Sequence, residues 1–122
     1  MKVFKNKMFL KWAKSEGLKD TILTEVAEEM NQGLIDANLG GGLVKKRIAR
    51  KGRGKSGGFR TIVVFQKEHR IIFIYGFPKN QRDNINEKEE KALKKLAQNL
   101  LDASENELKE MIIHGDLYEV TS

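Results

Sequence analysis

Two nearly continuous apolar runs in the middle of the chain, TIVVF and IIFIY, restrict its fold more than any other feature. They lie in segments 59–66 and 69–77, which are separated by only Lys67 and Glu68. β-Branched and aromatic residues favour strands, and a run without polar alternation is typical of a strand covered on both faces. A third segment of this kind, 43–50, precedes them. We therefore predict an antiparallel meander built around a central hairpin.

The N-terminal third has the apolar spacing of amphipathic helices. Two helices are predicted, over 7–15 and 20–32, because Gly17 and Gly33 supply stop signals after them. A short strand is predicted over residues 1–4, ahead of the first helix.

The C-terminal third starts two further helices with the spacing of a capping box. Asn86 stands three positions before Glu89, and Ser104 stands three positions before Glu107. An apolar stripe follows each pair, and residues 117–120 have the composition of a last strand. The order of elements predicts an α+β fold in which helices pack on one antiparallel sheet.

Length and composition predict one compact domain over residues 1–122, since the chain has 39% apolar residues and the size of an ordinary domain. The chain has no cysteine, which excludes disulfides, thiol catalysis and Cys-based metal sites. The first residues, MKVFKNKMFLKWAK, lack the uninterrupted apolar stretch of a signal peptide, and no segment resembles a membrane span. We expect a soluble protein of the cytoplasm.

Positive charge is concentrated in the middle of the chain. Residues 39–60, LGGGLVKKRIARKGRGKSGGFR, contain seven Gly, eight Lys or Arg and no acid. Residues 43–82 contain twelve Lys or Arg and one acid, whereas residues 83–122 contain five bases and ten acids. Such a field attracts a polyanion, so nucleic acid is the predicted ligand, with an acidic protein or an acidic lipid surface as alternatives.

The glycines of this stretch match three nucleotide-binding motifs only superficially. Gly52, Gly54 and Gly57 satisfy G-x-G-x-x-G, but a predicted strand follows where the dinucleotide motif needs a helix N-terminus. A P-loop would need Gly where the chain has Ala49. The chain is also too short for a protein kinase and lacks HRD and DFG sequences.

A simpler interpretation is a hairpin loop over 51–58 whose glycines allow close approach to phosphate oxygens. Lys55 is predicted at its tip, with Arg50, Lys51 and Arg53 at its base. The alternative is a loop with no ligand, which the basic flanking strands disfavour.

Basic residues on the flanking strands are the next candidates. Alternation along a strand sends Lys45 and Arg47 to one face and Lys46 to the other. Arg60 begins an otherwise apolar strand, where an Arg is either held by an internal ion pair or reaches out to bind. We favour binding, because a fixed guanidinium can grip a phosphate with two hydrogen bonds.

The end of the third strand adds Tyr75, Lys79 and Arg82, as expected for the rim of a site. His69 lies at a predicted turn and His114 just before a helix stop, so local reasons explain both better than an acid–base pair does. No Asp, Glu or His cluster with metal spacing occurs in the sequence, and neither a metal nor another cofactor is predicted.

With these motifs in view, the chain resembles the RelE toxins of type II toxin–antitoxin systems, a branch of the RelE/ParE superfamily. The resemblance rests on GGGLVKKRIAR, GKSGGFRT and YGFPKNQRDNI in this order, together with WAKSEGL at residues 12–18. It covers nearly the whole chain. It implies a compact α+β fold and an mRNA endonuclease, often acting at the ribosome, that a co-produced antitoxin silences.

The resemblance also implies cleavage without metal, in which the RNA 2′-hydroxyl attacks the neighbouring phosphate. Lys and Arg side chains stabilise the charged intermediate, and a Tyr or another polar group takes part in proton transfer. Arg60 matches the family's catalytic arginine best. The resemblance suggests as its catalytic companions Lys46, Lys55, Lys79 and Arg82. Tyr75 is the candidate for proton transfer. Lys45, Arg47, Arg50, Lys51 and Arg53 are expected to bind the RNA backbone.

Two alternatives stay open at this point. The best-studied RelE toxins place a needed Tyr near the C-terminus, where this chain has Tyr118 in an acidic tail, so either Tyr75 or Tyr118 could serve. The superfamily also contains ParE toxins that inhibit gyrase, and the same cations would suit a module that binds RNA or the ribosome without cutting.

Overall fold

The computed structural model describes residues 2–49 and 58–121, and within them it contains four helices and six strands. In chain order the elements are β1 (Lys2–Asn6), α1 (Lys7–Glu16), α2 (Asp20–Asn31), β2 (Ala37–Gly40), β3 (Leu43–Ile48), β4 (Phe59–Gln66), β5 (Arg70–Pro78), α3 (Glu87–Asp102), α4 (Glu105–Ile113) and β6 (Leu117–Glu119).

All six strands form one sheet in the order β2-β3-β4-β5-β1-β6. The pairs β3–β4 and β4–β5 are antiparallel, which confirms the predicted meander. Strands β1 and β6 were also predicted, and they extend the sheet beyond β5. The pairing of β1 with β5 is parallel, so the sheet is mostly rather than wholly antiparallel. The fold is α+β, as predicted.

One strand was not predicted. Strand β2 pairs antiparallel with β3 at the edge of the sheet, and its register shifts between Asn38 and Gly40. Its sequence, ANLG, lacks the β-branched and aromatic residues from which the other strands were recognised. Its place in the sheet depends on pairing with β3 and not on its own propensity.

Helices cover both faces of the sheet, with a separate apolar cluster under each layer. One cluster joins α1 and α2 to β3, β4 and β5 through Phe9, Leu23, Met30, Val63 and Phe73, all fully buried or nearly so. The other joins α3 and α4 to the opposite face through residues such as Ile62, Ile72 and Leu100. The central strands are therefore covered on both faces, as their continuous apolar runs predicted.

The local signals for helix ends are confirmed. Asn86 and Ser104 each form a complete capping box, in which the side chain accepts from the backbone amide three residues on and the glutamate there accepts in return. Gly17 and Gly33 have φ angles of 70° and 93°, the left-handed region that glycine adopts without strain. None of the helices in the described ranges combines the length and apolar character that a bilayer crossing needs.

The far end of α3 is fixed by Arg70 at the start of β5. Its Nη1 donates to the backbone carbonyls of Leu100 and Ala103, both at 2.8 Å. These contacts satisfy carbonyl groups that the last helical turn leaves without intrahelical partners. They tie α3 to the sheet, and α3 carries one residue of the site described next.

Candidate functional site

A β-bulge in β5 decides which side chains reach the α3–α4 face of the sheet. The register between β4 and β5 shifts at this point, so Ile62 pairs with Tyr75 while Val63 pairs with Phe73, which leaves Ile74 as the extra residue. Before the bulge, Phe73 belongs to the cluster under α1 and α2; after it, Tyr75 packs against the cluster under α3 and α4.

The bulge also turns Gly76 towards Trp12 on α1. A Cβ atom on Gly76 would come within 2.3 Å of the Trp12 ring, so this position has no room for a side chain. Gly76 thus lets β5 approach α1 closely while its neighbours Tyr75 and Phe77 face the other layer.

A row of cations lies on the same face, on β3 and β4. Lys45 and Arg47 project from β3, and Arg60 on β4 pairs directly with Arg47 in the register. Like charges placed directly opposite one another repel, which favours an anion between them. The predicted cationic face of β3 is confirmed for these residues.

The Arg60 side chain makes no hydrogen bond or ion pair to any residue in the described ranges, although only 9% of the residue's surface is exposed. No solvent-inaccessible side-chain nitrogen or oxygen in these ranges lacks a partner, so the guanidinium nitrogens of Arg60 reach solvent. They open onto a shallow cavity of about 390 Å³. It is lined by Asp36, Arg47, Ile48, Ala49, Gly58 and Arg60.

Lys46 points to the opposite face, as alternation predicted. It is 7% exposed, and its Nζ lies 3.1 Å from Oε1 of Glu29 on α2. The structure therefore does not bring Lys46 together with Arg60, although the resemblance suggested it as a companion.

Tyr75 and Arg82 are brought together, and both contact Glu89 in the first turn of α3. Nη1 and Nη2 of Arg82 donate to Oε1 and Oε2 of Glu89 at 2.8 and 2.7 Å, a two-point ion pair. The Tyr75 hydroxyl donates to Oε2 of Glu89 at 2.9 Å and accepts from Nη2 of Arg82. We call these three side chains the Glu89 network.

The network changes the acidity of its members. The hydrogen bonds from Arg82, helped by the backbone amide of Asn86, lower the pKa of Glu89 to about 2. Burial, helped by the hydrogen bond to Glu89, raises the pKa of Tyr75 above its usual value of 10. At neutral pH the carboxylate is therefore ionised and the phenol is protonated.

An aromatic ring connects the network with Arg60. The Arg82 guanidinium carbon lies 4.8 Å from the ring centre of Phe77, within the range of a cation–π contact. Phe77 is also the register partner of Arg60 across β4 and β5. Phe77 thus neighbours both arginines: Arg82 lies over its ring, and Arg60 is its partner on β4.

Of the other basic candidates, only Lys79 lies within the described residues near Arg60. Lys79 lies at the end of the sheet that carries Arg60, because its backbone amide donates to the carbonyl of Gly58 at 2.9 Å. Four cations predicted in the glycine loop lie outside the described residues: Arg50, Lys51, Arg53 and Lys55.

The alternative tyrosine and both histidines lie elsewhere. Tyr118 is on β6, three strand spacings or about 14 Å from β4. His69 is in the β4–β5 turn, about 20 Å along β4 from Arg60. His114 caps α4, and its Nε2 lies 3.9 Å from Glu110. Within the described ranges, no three His, Asp or Glu side chains form a group that could hold a metal ion.

Sequence reasoning missed two residues of this site. Glu89 was recognised only as half of a capping box, and Phe77 only as part of a strand. The Tyr75–Arg82 and Arg82–Glu89 spacings of seven residues cross an irregular segment, so no periodic pattern links them. The YGF-x-KN-x-RDNI motif was the one available signal, because it joins Tyr75, Phe77 and Arg82 in a single stretch.

Comparison with known families shows the family of the chain. A protein-family model described as "RelE toxin of RelE / RelB toxin-antitoxin system" matches residues 1–120, almost the full chain. The match includes every residue of the cationic row and of the Glu89 network. The chain belongs to the RelE toxin family, whose members are toxins of toxin–antitoxin systems.

Proposed function

We propose that the protein is a metal-independent endoribonuclease that cuts mRNA and so inhibits translation. The observation that carries the proposal is Arg60, a nearly buried guanidinium without an internal partner in the described ranges, which faces Arg47 across a solvent-open cavity. Two guanidinium groups placed opposite each other need an anion, and a phosphodiester supplies one.

In the proposed reaction the 2′-hydroxyl oxygen of one nucleotide attacks the adjacent phosphorus, and the bond from phosphorus to the 5′-oxygen breaks. The 2′-hydroxyl proton passes to solvent, and the leaving 5′-oxygen gains a proton. The products are a 2′,3′-cyclic phosphate and a 5′-hydroxyl. Arg60 would donate to the equatorial oxygens, where charge accumulates, and a preorganised donor of this kind is worth about 3–4 kcal/mol.

The other residues have different proposed parts. Lys45, Arg47 and Lys79 would hold the RNA backbone, together with the cations of the glycine loop, Arg50, Lys51, Arg53 and Lys55. Tyr75 would give its proton to the leaving oxygen and be reprotonated by solvent, since its pKa is raised and the phenol stays protonated at neutral pH. Lys46 faces the other layer and is left out of the mechanism.

The family implies an antitoxin as protein partner. We propose that mRNA at the ribosome is the substrate and the cytoplasm is the place of action. Expression of the chain without its antitoxin should then stop growth. Normal growth at high levels of folded protein would count against the toxin activity.

The decisive experiment incubates purified protein with ribosomes and mRNA in EDTA and analyses the RNA ends. Cuts with 2′,3′-cyclic phosphate and 5′-hydroxyl ends are expected. Cuts that depend on added metal, or cuts that leave 5′-phosphates, would contradict the mechanism. Blocked gyrase with intact RNA would instead favour a ParE-like inhibitor.

A second candidate function is a module that binds RNA or the ribosome without cutting. One observation favours it, because Arg82 and Tyr75 are already engaged by Glu89 and two of the proposed catalytic groups are thus occupied. The same assay separates the two functions. Intact RNA with retained binding would support the binding module.

A further inference from the structure

The Glu89 carboxylate occupies its site in a manner that resembles a bound phosphate. Its two oxygens receive three side-chain donors, two from the Arg82 fork and one from the Tyr75 hydroxyl, at 2.7–2.9 Å. Planar guanidinium forks bind carboxylates and the non-bridging oxygens of phosphates with the same two-point geometry. A phosphate could therefore take the place of the carboxylate on the Arg82 fork.

The position of the network suits an RNA site. Arg82 and Glu89 are partly open, with 34% and 27% of their side chains exposed, so a ligand can reach them. Phe77 lies under Arg82 and pairs with Arg60, which places the network next to the open cationic cavity. A chain of phosphates that reached Arg60 would pass within reach of Arg82.

Glu89 also has a second attachment that does not require Arg82. Its Oε1 accepts from the Asn86 backbone amide at 3.0 Å, and the Asn86 side chain caps α3 in return. The start of α3 would therefore keep its cap if the carboxylate left the guanidinium fork. Release of Arg82 does not require unfolding of the helix.

We propose that the Arg82 guanidinium forms a second phosphate subsite, beside that of Arg60, and that the Glu89 carboxylate fills it in the RNA-free protein. When RNA displaces Glu89, the Tyr75 hydroxyl also loses its acceptor. The proposal rests on the proposed function for the identity of its ligand, an RNA phosphate neighbouring the one at Arg60. RNA must displace Glu89 to occupy the subsite, so Glu89 lowers the affinity of the resting protein for RNA.

Binding of a non-cleavable RNA, with 2′-O-methyl groups throughout, tests the proposal without any need for cleavage. The variant is Glu89→Gln, which keeps a capping-box acceptor at this position and removes the charge. The matched control is Glu90→Gln, which removes one charge from the adjacent residue, whose ion pair is with Lys94. Circular dichroism and thermal melting establish that all variants are folded.

Glu89→Gln is expected to bind this RNA about ten- to a hundredfold more tightly, the scale of one or two hydrogen bonds to a charged group. One extra cation available to phosphate should also steepen the plot of log affinity against log salt by about 0.7. Glu90→Gln should show only the small effect of one lost surface charge. The gain should disappear in the double variant Arg82→Ala/Glu89→Gln.

Three results would each overturn the proposal. Glu89→Gln and Glu90→Gln could change RNA affinity equally, Glu89→Gln could bind RNA more weakly than the wild type, or the gain in affinity could survive the loss of Arg82. A measurement on the unaltered side chains guards against a poorly folded variant. The ¹³Cζ resonance of labelled Tyr75 should shift when the RNA binds, because its hydroxyl loses the Glu89 carboxylate as hydrogen-bond acceptor. Bound RNA with an unchanged Tyr75 resonance would exclude the subsite.

The outcomes also separate this proposal from the proposed nuclease activity. If the wild-type protein binds RNA with the expected Glu89 dependence but never cuts, the subsite stands and the nuclease activity is wrong. If the protein cuts RNA but Glu89→Gln changes nothing, the reverse holds. If the non-cleavable RNA does not bind at all, the subsite is overturned.

Discussion

Arg60 and Arg82 are both neighbours of Phe77, yet their surroundings differ in one respect. Arg82 has a carboxylate on its guanidinium fork, whereas Arg60 has no partner in the described ranges and faces a second arginine. Arg82 is paired and its local charge is balanced; at Arg60 the local charge is positive and unbalanced. Unbalanced charge in a nearly buried position is costly to maintain, which is why it indicates a ligand more strongly than a surface lysine does.

The comparison also ranks the charged residues of the middle of the chain. Lys46 is as buried as Arg60, but it pairs with Glu29 and so resembles Arg82 in being balanced. The density of positive charge along the sequence therefore overstates how many of these cations are available to bind a ligand. What distinguishes Arg60 is the face it shares with Arg47 and a guanidinium that pairs with no acid in the described ranges, since Asp36, in the same cavity, accepts from the Arg47 backbone amide instead.

The largest expected effect on the cleavage rate comes from the Glu89 network. Tyr75→Phe removes the hydroxyl that the mechanism uses as an acid, and cleavage should slow by about a hundred- to ten-thousandfold. Tyr118→Phe is the control and should cut at the wild-type rate, because Tyr118 lies on the far strand β6. Single-turnover cleavage of an RNA oligonucleotide measures both. If neither substitution slows cleavage, no tyrosine takes part.

Arg60→Ala should have the next largest effect. Loss of the donor to the equatorial oxygens is expected to slow cleavage by about a hundred- to thousandfold while folding and RNA binding are largely kept. Cleavage rates, RNA affinity and circular dichroism of the same preparation provide the three measurements. A variant that cuts as fast as the wild type would remove Arg60 from the site.

Acid should reduce the stability that the Glu89 network gives to the fold, within a defined pH range. The pKa of Glu89 is lowered from 4.5 to about 2, so the stabilisation it provides is complete above about pH 4.5 and is lost as the pH falls towards 2. The free energy of unfolding in urea, measured across this range, should fall more for the wild type than for Glu89→Gln. Glu107 has a lowered pKa of its own, but it is present in both proteins and cancels. A constant difference between the two proteins would show that the ion pair contributes nothing.

The smallest effect is expected at Lys46. Lys46→Met replaces a buried ammonium by a side chain of similar length and leaves Glu29 half exposed and hydrated. Stability should change by less than about 1 kcal/mol, and the cleavage rate should stay unchanged. Urea unfolding and the cleavage assay provide the measurements. A large loss of cleavage would mean that RNA contacts both faces of the sheet.

Much of the fold was predictable because its signals are local. The continuous apolar runs of β4 and β5 and the capping boxes at Asn86 and Ser104 depend on neighbouring residues, and all were found where predicted. Strand β2 and the parallel pairing of β1 with β5 depend on partners distant in sequence, and neither could be inferred from propensity.

The site divides in the same way. Strand alternation correctly separated Lys45 and Arg47 from Lys46, because period-two geometry is a local rule. The Glu89 network depends on where α3 docks and on the bulge in β5, and neither is encoded in a short pattern. The prediction for Arg60 needed only its position in an apolar strand, whereas the pairing of Arg82 needed the three-dimensional structure.

The extra residue at Ile74 makes the register of β5 as important as its composition. If Ile74 took the place of Tyr75 opposite Ile62, alternation would be simple and every position beyond it would change face. Tyr75 would then be directed at Trp12, where only Gly76 fits, and a glycine would replace the phenol opposite Glu89. A homologue that lacks the residue at position 74 would keep both flanking register pairs and could present the same side chains without a bulge.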